Sequence, residues 1–318
     1  MGDLKRQIKT CLWRENIMKN KVYAQLYSFL RTNQKDLVAS LEAMSKIGYD
    51  GVELMGTYMA GMSVAEYKAF LKDLKLDPIS SHGLNGEKDY EIAQELGIRH
   101  TDIRANIQDY TRDGVLKACE EMNKEGELRA KYGMKAVLHN HSQEFRWIKG
   151  EEGKTRVYDV LIANTDPVYV GFEFDVGWGA FSGVDPVEFI RKYPGRFPMI
   201  HVKEANRVAV SDDELEHFPK EVLALGAPVK PEHPQAGQTG YERGFSFFSA
   251  EQARMLYAAR TWNGKLGTGI IDWRALVDAC EAQGTEAYVS EREYYGYEGG
   301  NNDPIRCAED DYNFLRSL

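Results

Sequence analysis

Asp175 and His201 are the first residues of this sequence to suggest chemistry. Each closes a short apolar run, residues 168–175 and 197–201. The runs flank a piece, residues 185–195, with Asp-Pro at its start, Val187, Phe189 and Ile190 at helical spacing, and Tyr193-Pro194-Gly195 at its end. A strand–helix–strand unit in a parallel sheet brings both strand C-terminal ends to one face, so a carboxylate and an imidazole should open onto one cleft. Two further runs end alike: LHNHSQEF carries His139, His141 and Glu144, and EAYVSEREY carries Glu291 and Glu293. Glu144, Asp175, His201 and Glu291 together offer carboxylates and an imidazole, a donor set for a divalent ion, Mn²⁺ first and Mg²⁺, Co²⁺ or Zn²⁺ after it, whereas a soft-metal site would call for thiolates. Glu144 lies in the loop beyond its strand and has to reach back, so His139 and His141 stand as alternative ligands. Further candidates are His82, closing an earlier strand, and Lys203, two residues past His201, both placed to contact substrate oxygens. Arg104 and Trp178 join them as substrate contacts, and Gln25 and Tyr27 as pocket wall.

The elements that must position these groups alternate along the chain. Apolar strand patterns occur at residues 22–30, 49–56, 76–83, 100–106, 134–141, 168–175, 197–201 and 286–294. Between them lie helical patterns at 33–47, 63–75, 90–96, 112–132, 157–163, 185–195 and 272–282, with a last one at 304–318. Repeated strand-helix units predict an α/β protein, a (β/α)8 TIM barrel with a long insertion after the seventh strand. No G-x-G-x-x-G follows the first strand to support a dinucleotide fold. The expected domains are an N-terminal extension, residues 1–21, and one barrel over residues 22–318. An insertion over residues 207–265 belongs on the barrel's loop face. It holds an acidic piece, a Pro-rich piece and an aromatic piece with Phe245, Phe247, Phe248, Tyr257 and Trp262, which is too much pattern for a connecting loop.

Composition narrows the function. A chain of 318 residues, 43% hydrophobic, can bury a large core. Its net charge of −9 lacks the basic excess of an electrostatic nucleic-acid binder. Cys11, Cys119, Cys280 and Cys307 are scattered without C-x-x-C spacing, which fits a reducing compartment. The first residues are charged and contain no apolar signal core, and no later run is long and apolar enough to span a membrane. The expectation is a cytoplasmic protein with a small-molecule partner, and neither nucleic acid nor membrane.

The segments HNHSQEF, FEFDVGW, RFPMIHVKEAN and KLGTGIIDWRALVDACEAQGTEAYVSERE together resemble the successive signatures of the xylose-isomerase-like barrels of the sugar phosphate isomerase/epimerase type. The resemblance runs from about residue 22 to the C-terminus, outside the insertion. It implies metal ligation by Glu144, Asp175, His201 and Glu291, and a divalent-metal-dependent isomerase or epimerase acting on a sugar or keto-sugar through a metal-stabilised enediolate. In epimerases of this kind metal-bound carboxylates act as base and acid on opposite substrate faces, which puts Glu144 and Glu291 in those roles, with His141 and His139 as the other proton-transfer candidates. The same chemistry permits elimination. Relatives with an HNH-x-x-E-F pattern include lyases that remove aglycones from 3-keto-glycosides, some with a small partner subunit; others form homo-oligomers. A non-catalytic sugar-binding barrel is the remaining alternative.

Overall fold

The computed structural model describes residues 21–30, 37–216, 220–225, 255, 259–292 and 303–318. Eight parallel strands close a barrel: β1 (Lys21–Gln25), β2 (Gly51–Met55), β3 (Asp77–His82), β4 (His100–Ile103), β5 (Lys135–His139), β6 (Val170–Asp175), β7 (Met199–Val202) and, after a small antiparallel pair β8 (Glu204–Ala205) and β9 (Asn263–Gly264), the last barrel strand β10 (Ala287–Ser290). The helices are α1 (Tyr27–Leu30), α2 (Leu37–Ile47), α3 (Val64–Asp73), α4 (Glu87–Leu96), α5 (Arg112–Ala130), α6 (Val157–Asn164), α7 (Val176–Phe181), α8 (Pro186–Lys192), α9 (Lys220–Ala224), α10 (Trp273–Gln283) and α11 (Pro304–Ser317). This is the (β/α)8 fold that the alternation predicts. No helix among the described residues is long and apolar enough to cross a membrane.

Period-two alternation divides each strand between two layers. In β6, Phe172 and Phe174 point outward into a buried aromatic cluster with Phe145, Tyr158, Phe189 and Phe197. Their neighbours Glu173 and Asp175 carry the buried polar face. The barrel's own floor is a separate cluster of Tyr23, Ile79, Met199, Ala287 and Val289. Gly51 is required there, since a Cβ would meet the Asp77 carbonyl oxygen at 1.9 Å and the Tyr23 ring at 2.6 Å. The β2–β3 register skips one residue, pairing Val52 with Pro78 and Glu53 with Ser80. That irregularity re-phases β3, so that Ser80 and His82 reach the same interior as Glu53.

Helix starts follow their local signals. Ser63 and Glu66 form a capping box at α3, and Asp185 caps α8 with Pro186 in the first turn. The structure departs from the sequence reading in two places near the site. The strand expected over residues 22–30 stops at Gln25, where Leu26 donates to the Glu53 carbonyl and the chain turns into α1, burying Leu26 and Phe29. The short helix α7 was not expected directly after β6. Its sequence VGWGAF has glycines where helix propensity is poorest, but each is forced: a Cβ on Gly177 would lie 2.7 Å from the Lys203 carbonyl oxygen, and one on Gly179 would lie 2.7 Å from the Phe174 ring.

The ends of the expected insertion that are described come back together. Asn206 donates to the Trp262 carbonyl, β8 pairs with β9, and Trp262 stacks on Phe181 with ring centroids 4.3 Å apart. Arg146, in the loop after β5, meets Glu216 at 2.5 Å. Residues 1–20, Phe245, Phe247, Phe248, Tyr257 and Glu293 lie outside the described residues.

Candidate metal centre

The H-N-H run at the end of β5 splits three ways. His139 ends the strand and faces the barrel interior, with Nε2 3.3 Å from Asp175 Oδ2. Asn140 is fully buried and clamps β5 to β6: its Oδ1 accepts from the Asp175 N–H at 2.9 Å and from the Tyr158 hydroxyl at 3.1 Å, and its Nδ2 donates to the Asp175 carbonyl at 3.2 Å. His141 is half-buried at the mouth, its ring 5.0 Å from His139 and 5.6 Å from Trp178.

Asp175 serves two purposes. Oδ1 caps α7 by accepting from Trp178 N–H at 2.9 Å, which leaves Oδ2 for the interior. There it meets His139, Lys203 Nζ at 3.0 Å and His201 Nδ1 at 3.6 Å. Glu291, just past β10, brings Oε2 to 2.7 Å from Lys203 Nζ and 3.3 Å from His201 Nδ1. Donor atoms of His139, Asp175, His201 and Glu291 all lie within 4.8 Å of one another. Glu53, Glu173 and His201 form a second such group, and His82, His139 and Glu173 a third. His82 Nε2 stands 3.0 Å from Glu173 Oε2 and 3.2 Å from Glu53 Oε2.

Electrostatics follow from crowding carboxylates out of water. Burial pulls the His201 imidazole down, but the carboxylates of Glu291, Asp175, Glu173 and Glu53 overcome it and carry it up to about 10. Burial, helped by the neighbouring His201 charge, holds His139 at about 3, so its imidazole is neutral with a lone pair to offer. Burial and the adjacent Glu53 charge push Glu173 to about 7. Asp175 is held well below the usual carboxylate range: burial opposes this, and the Lys203 ammonium with the His139 and His201 contacts overrides it.

Several sequence-predicted residues fall elsewhere. Glu144 joins none of these groups among the described residues. It sits in a single 3₁₀ turn after β5, buried, with Oε2 accepting the His141 N–H at 2.8 Å. The turn folds its carboxylate back on its own loop, and the converging group of donor atoms includes His139, an alternative in the sequence reading, and not Glu144. Arg104 is exposed beyond β4, outside the cluster. Lys203 and Trp178 are buried beside the centre, with Lys203 Nζ 5.9 Å from the Trp178 ring centroid. Gln25 donates to Glu53 Oε1, and its own Oε1 accepts from the Tyr27 N–H at 3.1 Å. Sequence reasoning missed Glu173 and Glu53 as site residues. Alternation contains the signal for Glu173, which must share the inward side of Asp175 two residues later.

The residues present fit a divalent cation. Glu53, Glu173, Asp175 and Glu291 are all buried, and neither ring nitrogen of His201 has a hydrogen-bond partner of good geometry among the described residues. Buried carboxylates in excess of fixed cations, with imidazole nitrogens among them, are the donor chemistry of Zn²⁺, Co²⁺ or Mn²⁺.

No protein-family model matches the chain. It is 25% identical over 190 residues to the inosose dehydratase of Clostridium tetani (strain Massachusetts / E88), covering 52% of this chain and 62% of that protein. It thus spans less than two thirds of that curated relative's length. Among solved structures it is similar to a sugar phosphate isomerase/epimerase from Parabacteroides distasonis ATCC 8503, with TM-score 0.65, 20% identity and 96% of each chain covered. It is also similar to the IolI protein with a binding zinc atom, with TM-score 0.61, 13% identity, and 93% of this chain and 98% of that one covered. In fold, this chain is a (β/α)8 TIM barrel similar to those solved structures.

Proposed function

We propose that this chain is a sugar-processing enzyme that eliminates water, or another leaving group, from a polyhydroxy-ketone such as a keto-inositol or a 3-keto-glycoside. The observation that carries the reading is the convergence of His139, Asp175, His201 and Glu291 donor atoms within 4.8 Å at the C-terminal end of the barrel. These residues would hold a divalent ion, whose identity the mixed imidazole and carboxylate set leaves among Zn²⁺, Co²⁺, Mn²⁺ and Mg²⁺. Bound there, the ion supplies Lewis acidity to the substrate's ketone oxygen.

The chain's own groups do the rest. His141, at the mouth and outside the ligand set, takes the proton from the carbon beside the ketone. The C–H electron pair becomes a C=C bond as the C–O bond on the next carbon breaks, and the departing oxygen leaves as water once it regains a proton. Lys203, buried against Asp175 and Glu291, offers an ammonium donor to a substrate oxygen. Trp178, packed under the Arg260 guanidinium at 4.5 Å, walls the pocket and excludes solvent.

Isomerase or epimerase chemistry shares the first step and is the second reading, favoured by the likeness to the Parabacteroides distasonis barrel. It ranks below elimination because the two-carboxylate pair expected for epimerisation, Glu144 and Glu291, is not assembled: Glu144 is turned to the His141 backbone. The dehydratase relative supports the same order. The test is to load the protein separately with Zn²⁺, Co²⁺, Mn²⁺ and Mg²⁺ and incubate it with keto-inositols and 3-keto-glycosides in D₂O. Loss of water or of an aglycone by mass spectrometry supports elimination. A product of unchanged formula that carries solvent deuterium reverses the order, and no reaction with any ion or ketone defeats both.

A further inference from the structure

We infer that Glu53 is a positioning residue for the candidate metal centre: its carboxylate lies 3.5 Å from His201 Nε2, and in the metal-loaded protein it accepts the Nε2–H so that Nδ1 faces the cation. The inference rests on the metal reading above. The two ring nitrogens of His201 look at different carboxylates. Nε2 is 3.5 Å from Glu53 Oε1, whereas Nδ1 is 3.3 Å from Glu291 Oε2 and 3.6 Å from Asp175 Oδ2. A neutral imidazole carries its proton on one nitrogen and a lone pair on the other, so whichever group accepts the N–H decides which nitrogen can ligate. Metal-bound histidines generally donate the second ring N–H to a carboxylate or carbonyl, which fixes both tautomer and ring orientation. Glu291 and Asp175 are in the ligand group on the Nδ1 side, leaving Glu53 as the acceptor on the Nε2 side.

Glu53 is built for accepting. It is fully buried, Gln25 Nε2 donates to its Oε1, Ser80 Oγ donates to its Oε2 at 2.5 Å, and His82 Nε2 lies 3.2 Å from the same oxygen. With both oxygens engaged by protein donors, its carboxylate is oriented from beneath by β1 and β3 and presents a fixed edge to His201. The skipped residue in the β2–β3 register places Ser80 opposite Glu53 and makes that anchoring geometry. Deleting the charge while keeping the shape should loosen the ring without removing a ligand.

The experiment measures the dissociation constant of Co²⁺ and of Zn²⁺ by competition with a chromogenic chelator for the wild type, Glu53→Gln and Ser80→Ala. ¹⁵N spectra of the zinc-loaded, histidine-labelled protein are recorded alongside. We expect Glu53→Gln to weaken both ions about 10- to 100-fold, Ser80→Ala to weaken them less but in the same direction, and the wild-type His201 signal to show a protonated Nε2. Wild-type affinity in Glu53→Gln, or ligation through His201 Nε2, overturns the inference while leaving the metal reading intact. A wild type that binds neither ion overturns both. Ser80→Ala leaves the carboxylate in place and carries the test if Glu53→Gln does not fold; unchanged affinity there also counts against the role.

Discussion

Tyr23, Met199 and Val289 fill the barrel floor, and two residues further along the same strands or just past their ends stand Gln25, His201 and Glu291. The backbone scaffold is shared, the burial is similar, and the alternation that turns one residue of each pair inward turns the other inward too. The floor is apolar and packs as any core does, while the upper tier crowds Glu53, Glu173, Asp175, Glu291, Lys203 and histidines into a space without bulk water. Burying unlike charges together recovers little beyond their desolvation, so that tier contributes little to stability and is retained for binding. The barrel's stability is carried by its floor and outer layer, and its chemistry by the tier above.

Breaking the upper tier should have the largest effect on function and leave the barrel folded, although removing Asp175 also takes the cap from α7 and a partner from buried Lys203 and so lowers stability. Asp175→Ala and His201→Ala are each expected to abolish stoichiometric divalent-metal binding and any turnover, with the barrel still folded by circular dichroism. Full metal occupancy in either variant would remove that residue from the centre. Breaking the floor should do the reverse. Met199→Ala is expected to cost about 2–5 kcal/mol of unfolding free energy, as for other buried large-to-small changes, while the folded fraction keeps wild-type metal affinity in a chelator competition.

A smaller effect sharpens the comparison at the underside of the floor. Asp77 accepts from the Tyr23 hydroxyl at 2.8 Å and from Arg99 at 2.8 and 3.1 Å. Burial raises its pKa, but the Arg99 and Tyr23 contacts outweigh this and leave the carboxyl below its ordinary value. A carboxyl depressed in the folded state gives stability that is present above its unfolded pKa and is lost as pH falls through the folded one. Asp77→Asn should therefore cost about 1 kcal/mol at neutral pH, a figure kept small by the partial exposure of the pair. The gap to wild type in urea melts should close below the ordinary carboxylate range. A gap that is constant with pH would mean the contact is worth its shape and not its charge.

Much of this was legible in the sequence. The order of strands and helices followed from periodicity; Asp175 and His201 stood out by their places at strand ends, and Glu291 was preferred to Glu293 only through the family resemblance. What stayed hidden depended on where the chain turns. Choosing between His139 and Glu144 requires knowing that β5 ends at His139 and that the following turn folds Glu144 back onto the His141 N–H. Gln25 was legible only as pocket wall, because its partner Glu53 comes from the neighbouring strand β2, and a pairing between strands is not announced by the local pattern of either one. Helix α7 was hidden because its glycines answer to contacts with Lys203 and Phe174, residues outside the helix itself.

The most direct test of the centre is metal stoichiometry in two variants of neighbouring residues. Elemental analysis of purified protein exchanged into metal-free buffer and reloaded with Zn²⁺ or Co²⁺ should find about one ion per chain in the wild type, as expected for a single four-donor site. Glu144→Gln should keep that ion and His139→Asn should lose it. Retention in His139→Asn together with loss in Glu144→Gln would contradict the site described above and return the ligand to the loop.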